Sequence, residues 1–63
     1  MRLAANVRRF REALGYTQED LAKRCDLNRR YISHVEQGTV NITLANLEAL
    51  ASGLDCDEVD LLE

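Results

Sequence analysis

The chain has 63 residues, of which 46% are hydrophobic and 30% are charged, and its formal net charge is −3. This length suits one small domain, and the composition is typical of a folded soluble chain and not of a disordered one. No apolar run has the length of a membrane span and the polar, arginine-rich N-terminus does not resemble a secretory signal, so we expect a cytoplasmic protein that does not bind membranes.

The first predicted element is a helix over residues 2–14. Four apolar residues at spacings of four, three and four predict one stripe on this helix: Leu3, Val7, Phe10 and Leu14. Gly15 is the predicted stop, because glycine readily adopts the left-handed conformation that ends many helices.

A second helix is predicted over residues 18–25, after a cap at Thr17. Leu21 and Ala22 are expected to form its inner face, and Leu27 is expected to fill the core after a tight turn.

The stretch from Asn28 to Gly38 predicts a third helix. Asn28 is a good cap, and Gly38 suits the left-handed residue that closes a helix. Ile32 and Val35 lie three residues apart and therefore share one face, which can anchor this helix to a core.

A fourth helix is predicted over residues 44–53, after the polar connection 39–43 and a cap at Thr43. Its apolar stripe is predicted from Leu44, Leu47, Leu50, Ala51 and Leu54.

A short fifth helix is predicted to begin with a cap at Asp55 and a capping box that includes Glu58. Val59 and Leu62 are expected to face inward, which leaves Leu61 for another surface.

Residues 17–38 read TQEDLAKRCDLNRRYISHVEQG and resemble the helix-turn-helix of phage Cro/repressor-type (XRE-like) DNA-binding proteins. That family includes small repressors and restriction–modification controller proteins. The matching positions are Thr17, Gln18, Leu21, Ala22, Leu27, Ile32, Ser33, Val35, Glu36 and Gly38. One departure is Asp26, which stands where the family usually has glycine in a turn that needs positive φ. Aspartate tolerates this conformation at some strain.

The resemblance covers nearly the whole chain and implies an all-α fold, a compact five-helix repressor-like domain over residues 1–63 with its helix-turn-helix at 17–38. It implies sequence-specific binding of double-stranded DNA by a small transcriptional regulator, with the third helix in the major groove. We expect a symmetric homodimer on a palindromic operator, which would place two recognition helices about one turn of DNA apart, roughly 34 Å. A stand-alone repressor, a restriction–modification controller and a DNA-binding antitoxin all remain open.

Four residues of the third helix are predicted to contact DNA bases: Arg29, Arg30, Ser33 and His34. An arginine fork matches O6 and N7 of guanine, so Arg29 and Arg30 are the strongest candidates, with phosphate contact as the alternative. His34 lies four residues after Arg30 on the same face, and the resemblance implies that it also reaches bases. A solvent-facing or phosphate-facing imidazole is the alternative.

Five residues are predicted to contact the DNA backbone: Thr17, Gln18, Tyr31, Asn41 and Thr43. The resemblance implies that Gln18 binds a phosphate and braces the third helix, and its amide can do both. Asn41 and Thr43 precede the fourth helix, whose N-terminal N–H groups suit a phosphate. For Tyr31, contact with a sugar or a thymine methyl stands beside packing of its ring in the core.

The resemblance also implies a partly buried salt bridge between Arg11 and Glu36, which would join the first and third helices. We favour this structural role of Arg11 over a DNA contact. Loss of either partner would leave an unpaired buried charge.

Charge is divided unevenly along the chain. Residues 1–35 carry eight Lys and Arg against four acids, a net +4, whereas residues 36–63 carry seven acids and no Lys or Arg, a net −7. We interpret this as two faces with different partners, and a merely solubilising acidic half is the alternative. The predicted dimer surface lies in the acidic half and consists of Leu54, Val59, Leu61 and Leu62.

No catalytic set or Gly-rich phosphate loop is visible, so we expect neither an enzyme nor a bound cofactor. Cys25, Cys56 and the single His34 are too few for a zinc site, and no metal is expected. We interpret the cysteines as small apolar residues in a reducing cytoplasm, with a redox switch as the alternative. The alternative function is an antitoxin-type or other interaction module that binds a protein partner, such as a toxin or a polymerase subunit.

Overall fold

Five helices make up most of residues 2–63, the part of the chain that the computed structural model describes. They are α1 (Leu3–Ala13), α2 (Gln18–Cys25), α3 (Arg29–Gln37), α4 (Leu44–Gly53) and α5 (Glu58–Leu62). No strand occurs among these residues, which confirms the all-α prediction. The predicted bounds of the first four helices agree with the structure to within a residue.

Side-chain caps fix the starts of the three central helices. Thr17, Asn28 and Thr43 have extended backbone, and each accepts a hydrogen bond from a backbone N–H in the first turn of its own helix. The ends of α2 and α3 are left-handed, at Asp26 (φ 57°) and Gly38 (φ 73°). The positive φ expected at Asp26 is therefore confirmed, at a steric cost that glycine would avoid.

The centre of the core receives one fully buried large side chain from every helix: Val7, Leu21, Ile32, Leu50 and Leu61. Burial of a side chain of this size contributes roughly 1.5–3 kcal/mol. Ala22 and Val35 are buried as predicted, and Leu27 packs against this core from a half-buried position. All five helices thus share one core, so the orientation of α3 depends on the other four.

Two predicted members of the apolar stripes lie outside the core. Leu14 is 42% exposed and Leu44 is 69% exposed. Because α1 ends at Ala13 and Gly15 turns the chain away with a φ of 76°, Leu14 leaves the helical stripe. Leu44 occupies the first position of α4, and the core covers this helix from Leu47 onward.

The predicted start and inner face of α5 are wrong. Its cap is Asp57, whose backbone N–H donates to the Asp60 carboxylate at 3.0 Å, while Asp55 is a left-handed residue (φ 55°) in the preceding turn. Leu61 faces inward and is fully buried, whereas Val59 and Leu62 are exposed. A helix of five residues can bury only one large side chain here, and apolar spacing alone does not say which.

Asn6 ties α5 to α1. Its side chain is buried, and its Nδ2 donates to the backbone oxygen of Leu61 at 2.9 Å. This bond satisfies a carbonyl at the end of α5 that has no partner within so short a helix. The same contact holds the Leu61 side chain against the core.

The close contact between α2 and α4 depends on Gly53. A Cβ atom there would collide with Sγ of Cys25, so the missing side chain lets the helices approach. Arg24 supports the same contact, because its Nε donates to the Gly53 oxygen at 2.9 Å and its guanidinium lies 4.9 Å from the centre of the Tyr16 ring. α4 thereby holds α2 in place for the helix-turn-helix.

Cys25 is buried and Cys56 is half-buried, and neither forms a disulfide within residues 2–63. Burial raises the pKa of both thiols, and for Cys56 the neighbouring acids, led by Asp60, raise it further. A thiol with a raised pKa is a poor nucleophile, which supports the interpretation of both residues as apolar packing groups.

Candidate nucleic-acid interface

α3 presents its polar side chains on the face opposite the core. Ile32 and Val35 are buried, while Arg29, Arg30 and His34 are exposed. Ser33 is half-buried on the same outer face, and its hydroxyl accepts a hydrogen bond from the amide of Gln37 at 3.4 Å. The structure therefore gathers the four predicted base-contacting residues on one exposed surface of one helix.

The guanidinium and imidazole groups of this surface are available to a ligand. Within residues 2–63, no hydrogen bond or ion pair engages the guanidinium of Arg29 or Arg30 or the imidazole of His34. A guanidinium that is neither paired nor buried keeps its five donors for a partner. Two such forks at the N-terminal end of α3 suit recognition of guanine edges or phosphates.

A buried ion pair fixes the orientation of α3 relative to α1. Nε of Arg11 donates to Oε2 of Glu36 at 2.7 Å, and Nη2 donates to Oε1 at 3.0 Å. The two side chains are only 11% and 5% exposed. The hydrogen bonds to Glu36 raise the pKa of Arg11 above its ordinary value. Two parallel bonds between planar groups restrain rotation as well as distance.

Two further bonds extend this ion pair to the start of α2. Nη1 of Arg11 donates to the backbone oxygen of Tyr16 at 2.7 Å, and Nε2 of Gln18 donates to Oε1 of Glu36 at 3.2 Å. The bracing expected of Gln18 is therefore present in the structure. Together these contacts, which we call the Glu36 cluster (Arg11, Tyr16, Gln18 and Glu36), join α1, α2 and α3 behind the outer face of α3.

The predicted backbone-contacting residues occupy helix starts and a connecting loop. The hydroxyls of Thr17 and Thr43 accept N–H bonds from their own helices at 3.0 and 3.1 Å, and each keeps its own O–H for another partner. Asn41 is exposed in the loop before α4. Gln18 is half-buried because of its bond to Glu36.

Tyr31 differs from the other four backbone candidates. It is half-buried and packs against the core, and its hydroxyl is buried without a hydrogen-bond partner among residues 2–63. The ring also lines a cavity of about 250 Å³ on the outer side of α3. The cavity wall consists of Asn28, Arg30, Tyr31, His34 and Val40. No sequence pattern predicts a role for Val40, because a single valine in a polar loop carries no periodic signal.

Two of the four predicted dimer-surface residues are unavailable to a partner. Leu54 is 3% exposed and Leu61 is fully buried, so both belong to the core of the single chain. Val59 (59% exposed) and Leu62 (45% exposed) remain as an apolar patch on α5. The predicted surface is thereby reduced to these two residues.

The acidic side chains in the second half of the structure do not form a metal-binding site within residues 2–63. No group of three His, Cys, Asp or Glu side chains among residues 2–63 is placed to hold a metal ion. None of the five described helices combines the length and the apolar character needed to cross a lipid bilayer.

The chain matches one known family and is similar to several known proteins. The family model described as Helix-turn-helix matches residues 7–61. A hypothetical transcription factor of Neisseria meningitidis serogroup B is 45% identical over 60 residues, which cover 95% of this chain. Control protein C.BamHI of Bacillus amyloliquefaciens is 47% identical over 47 residues, or 75% of this chain. The aligned region spans just over half the length of these two relatives, 57% and 58%.

A solved structure shares the fold over most of its length. The restriction-modification controller protein C.AhdI from Aeromonas hydrophila superposes with a TM-score of 0.92 at 37% identity. The alignment covers 95% of this chain and 91% of that one. The arrangement of all five helices is therefore common to both proteins.

Proposed function

The chain belongs to the helix-turn-helix family of DNA-binding transcriptional regulators, and we propose that it binds a palindromic operator as a symmetric dimer. The observation that carries this proposal is the outer face of α3. Arg29, Arg30 and His34 are exposed and unpaired there within residues 2–63, on a helix whose orientation the Glu36 cluster fixes. A preorganised helix with free guanidinium forks suits the major groove of DNA.

In this proposal the contacts divide into two classes. Arg29, Arg30, Ser33 and His34 contact base edges and select the sequence. Thr17, Gln18, Asn41 and Thr43 contact phosphates and set the position of the domain on the duplex, without selecting a sequence.

The proposed dimer forms through the patch of Val59 and Leu62 on α5. Two exposed apolar side chains on a short acidic helix suit burial against a symmetric copy. A two-fold axis at this patch would allow two α3 helices to contact half-sites about one turn of DNA apart, roughly 34 Å.

We further propose that this protein is a cytoplasmic regulator of the controller type and acts by binding alone, without catalysis. C.BamHI is described as a control protein and C.AhdI as a restriction-modification controller protein. The same five-helix domain and the same family match support a similar role here. The alternative hypothesis is a module that binds only a protein partner.

Selection of bound sequences from a random duplex pool, at two salt concentrations, tests the proposal. We expect enrichment of a palindrome with half-sites about one helical turn apart. Failure to enrich any sequence, even at low salt where phosphate contacts are strongest, would contradict DNA binding and favour the interaction module.

Replacement of Arg30 by alanine is expected to weaken operator binding by about 1–3 kcal/mol and to relax the preference at one base position in each half-site. Binding titrations on the selected operator and its single-base variants measure both effects. Arg8→Ala is the matched control, because Arg8 is exposed and pairs with Glu12 on the surface of α1. An equal loss on all sequences for Arg30→Ala would mean that Arg30 contacts phosphate.

Replacement of Val59 by aspartate is expected to weaken self-association by about tenfold or more, since an exposed apolar contact would become a like-charge repulsion across the axis. Sedimentation at several concentrations measures the monomer–dimer balance. Leu14→Asp makes a similar change at an exposed position just after α1 and serves as the control. An unchanged dimer for Val59→Asp would place the interface elsewhere.

A further inference from the structure

We propose that the cavity beside α3, which we call the thymine pocket, receives the major-groove edge of a thymine in each half-site. This inference rests on the proposed function, since it requires that α3 enters the major groove. The pocket lies between the N-terminal half of α3 and the loop before α4, and its wall includes the base-reading candidates Arg30 and His34. A base approached by these two residues therefore lies next to the opening.

The wall of the thymine pocket suits a methyl group. Val40 from the loop and the ring of Tyr31 supply apolar surface that no other described side chain covers completely. Thymine is the one DNA base that carries a methyl group on its major-groove edge. The volume of about 250 Å³ exceeds that of a methyl group, so the adjoining part of the base edge can enter with it.

The Tyr31 hydroxyl takes no part in this contact. It is buried within residues 2–63 and is therefore closed to a base edge, which can meet only other atoms of this side chain.

The methyl group separates thymine from the other three DNA bases, which carry none on their major-groove edges. 5-Methylcytosine also carries a methyl group at this edge. The pocket should therefore rank thymine and 5-methylcytosine above uracil and cytosine.

The test uses the selected operator with one pyrimidine at a time changed to thymine, uracil, 5-methylcytosine or cytosine. At one position in each half-site, we expect the change from thymine to uracil to weaken binding about fourfold, the worth of one buried methyl group. Val40→Thr keeps the shape of the side chain but makes it polar, and should bring the thymine-to-uracil ratio towards one. Ile42→Thr makes a similar polar change in the same loop but outside this pocket, and should leave the ratio unchanged.

Tyr31→Phe is a second control. Because the hydroxyl is buried and has no partner within residues 2–63, the thymine-to-uracil ratio should persist in this variant. Urea unfolding of the free variant should give a free energy of unfolding equal to or above that of the original chain, because no native hydrogen bond is lost.

Three outcomes would overturn the thymine pocket. If the operator is bound but no thymine-to-uracil change matters at any position, the pocket is wrong while the proposed function stands. A ratio that survives Val40→Thr would place methyl recognition elsewhere. If no operator is enriched at all, both the pocket and the proposed function fail.

Discussion

Replacement of Glu36 by alanine is expected to lower the free energy of unfolding by about 3–5 kcal/mol. The variant leaves the Arg11 guanidinium buried without its bidentate partner and removes the acceptor of the Gln18 amide. Desolvation of an unpaired charge is the main cost, and loss of the three hydrogen bonds that the Glu36 carboxylate accepts adds to it. Urea unfolding at 10 °C, followed by circular dichroism, measures the change.

The matched control is Glu12→Ala. Glu12 also pairs with an arginine, Arg8, but at 3.5 Å and with both side chains more than half exposed. A pair in water contributes little, so the control should lose less than about 1 kcal/mol. Equal losses for the two variants would mean that burial of the Arg11–Glu36 pair makes no difference. A double variant, Arg11→Met with Glu36→Leu, should recover part of the loss because no charge is left unpaired.

The second large effect is expected for Leu61→Ala, which should lower the free energy of unfolding by about 2–5 kcal/mol. Leu61 is fully buried, and its deletion leaves a cavity where α5 meets the core. The loss should appear at every protein concentration, since the cavity lies within a single chain. Chemical unfolding at two concentrations tenfold apart would separate this effect from a change in self-association.

Leu62→Ala is the control for this prediction. Its side chain is 45% exposed, and at concentrations where the chain is monomeric its truncation should cost less than about 1 kcal/mol. If Leu62→Ala destabilises the monomer more than Leu61→Ala does, then Leu62 and not Leu61 is the side chain of α5 that packs on the core.

Much of the fold follows from local sequence. Thr17, Asn28 and Thr43 are residues whose side chains can cap a helix, and Gly38 can take a left-handed conformation. The starts of α2, α3 and α4 and the end of α3 could therefore be predicted from them. The outer face of α3 could be predicted because the spacing of Ile32 and Val35 fixes which side is buried. The Arg11–Glu36 contact joins residues 25 positions apart, and only the family resemblance indicated it.

The features that could not be predicted depend on tertiary contacts. The face of α5 is set by Asn6, whose bond to the Leu61 backbone spans 55 positions. In so short a helix no repeat of the apolar pattern reveals this choice. The cavity beside α3 brings together Tyr31 and the loop residue Val40, and no local preference places a loop side chain against a helix.

The division of charge among the helices has a kinetic consequence. Every Lys and Arg precedes α4, while the charged side chains of α4 and α5 are all acidic. Arg29 and Arg30 are exposed on α3, so we expect the phosphates of DNA to attract α3 and to repel α4 and α5, which turns α3 towards the duplex. Encounters should then begin in a productive orientation, which raises the association rate at low ionic strength and fades as the screening length shrinks to about 8 Å at physiological salt. The distribution of charge would govern the rate at which the protein associates with DNA, and the side chains of α3 would govern the rate at which it dissociates.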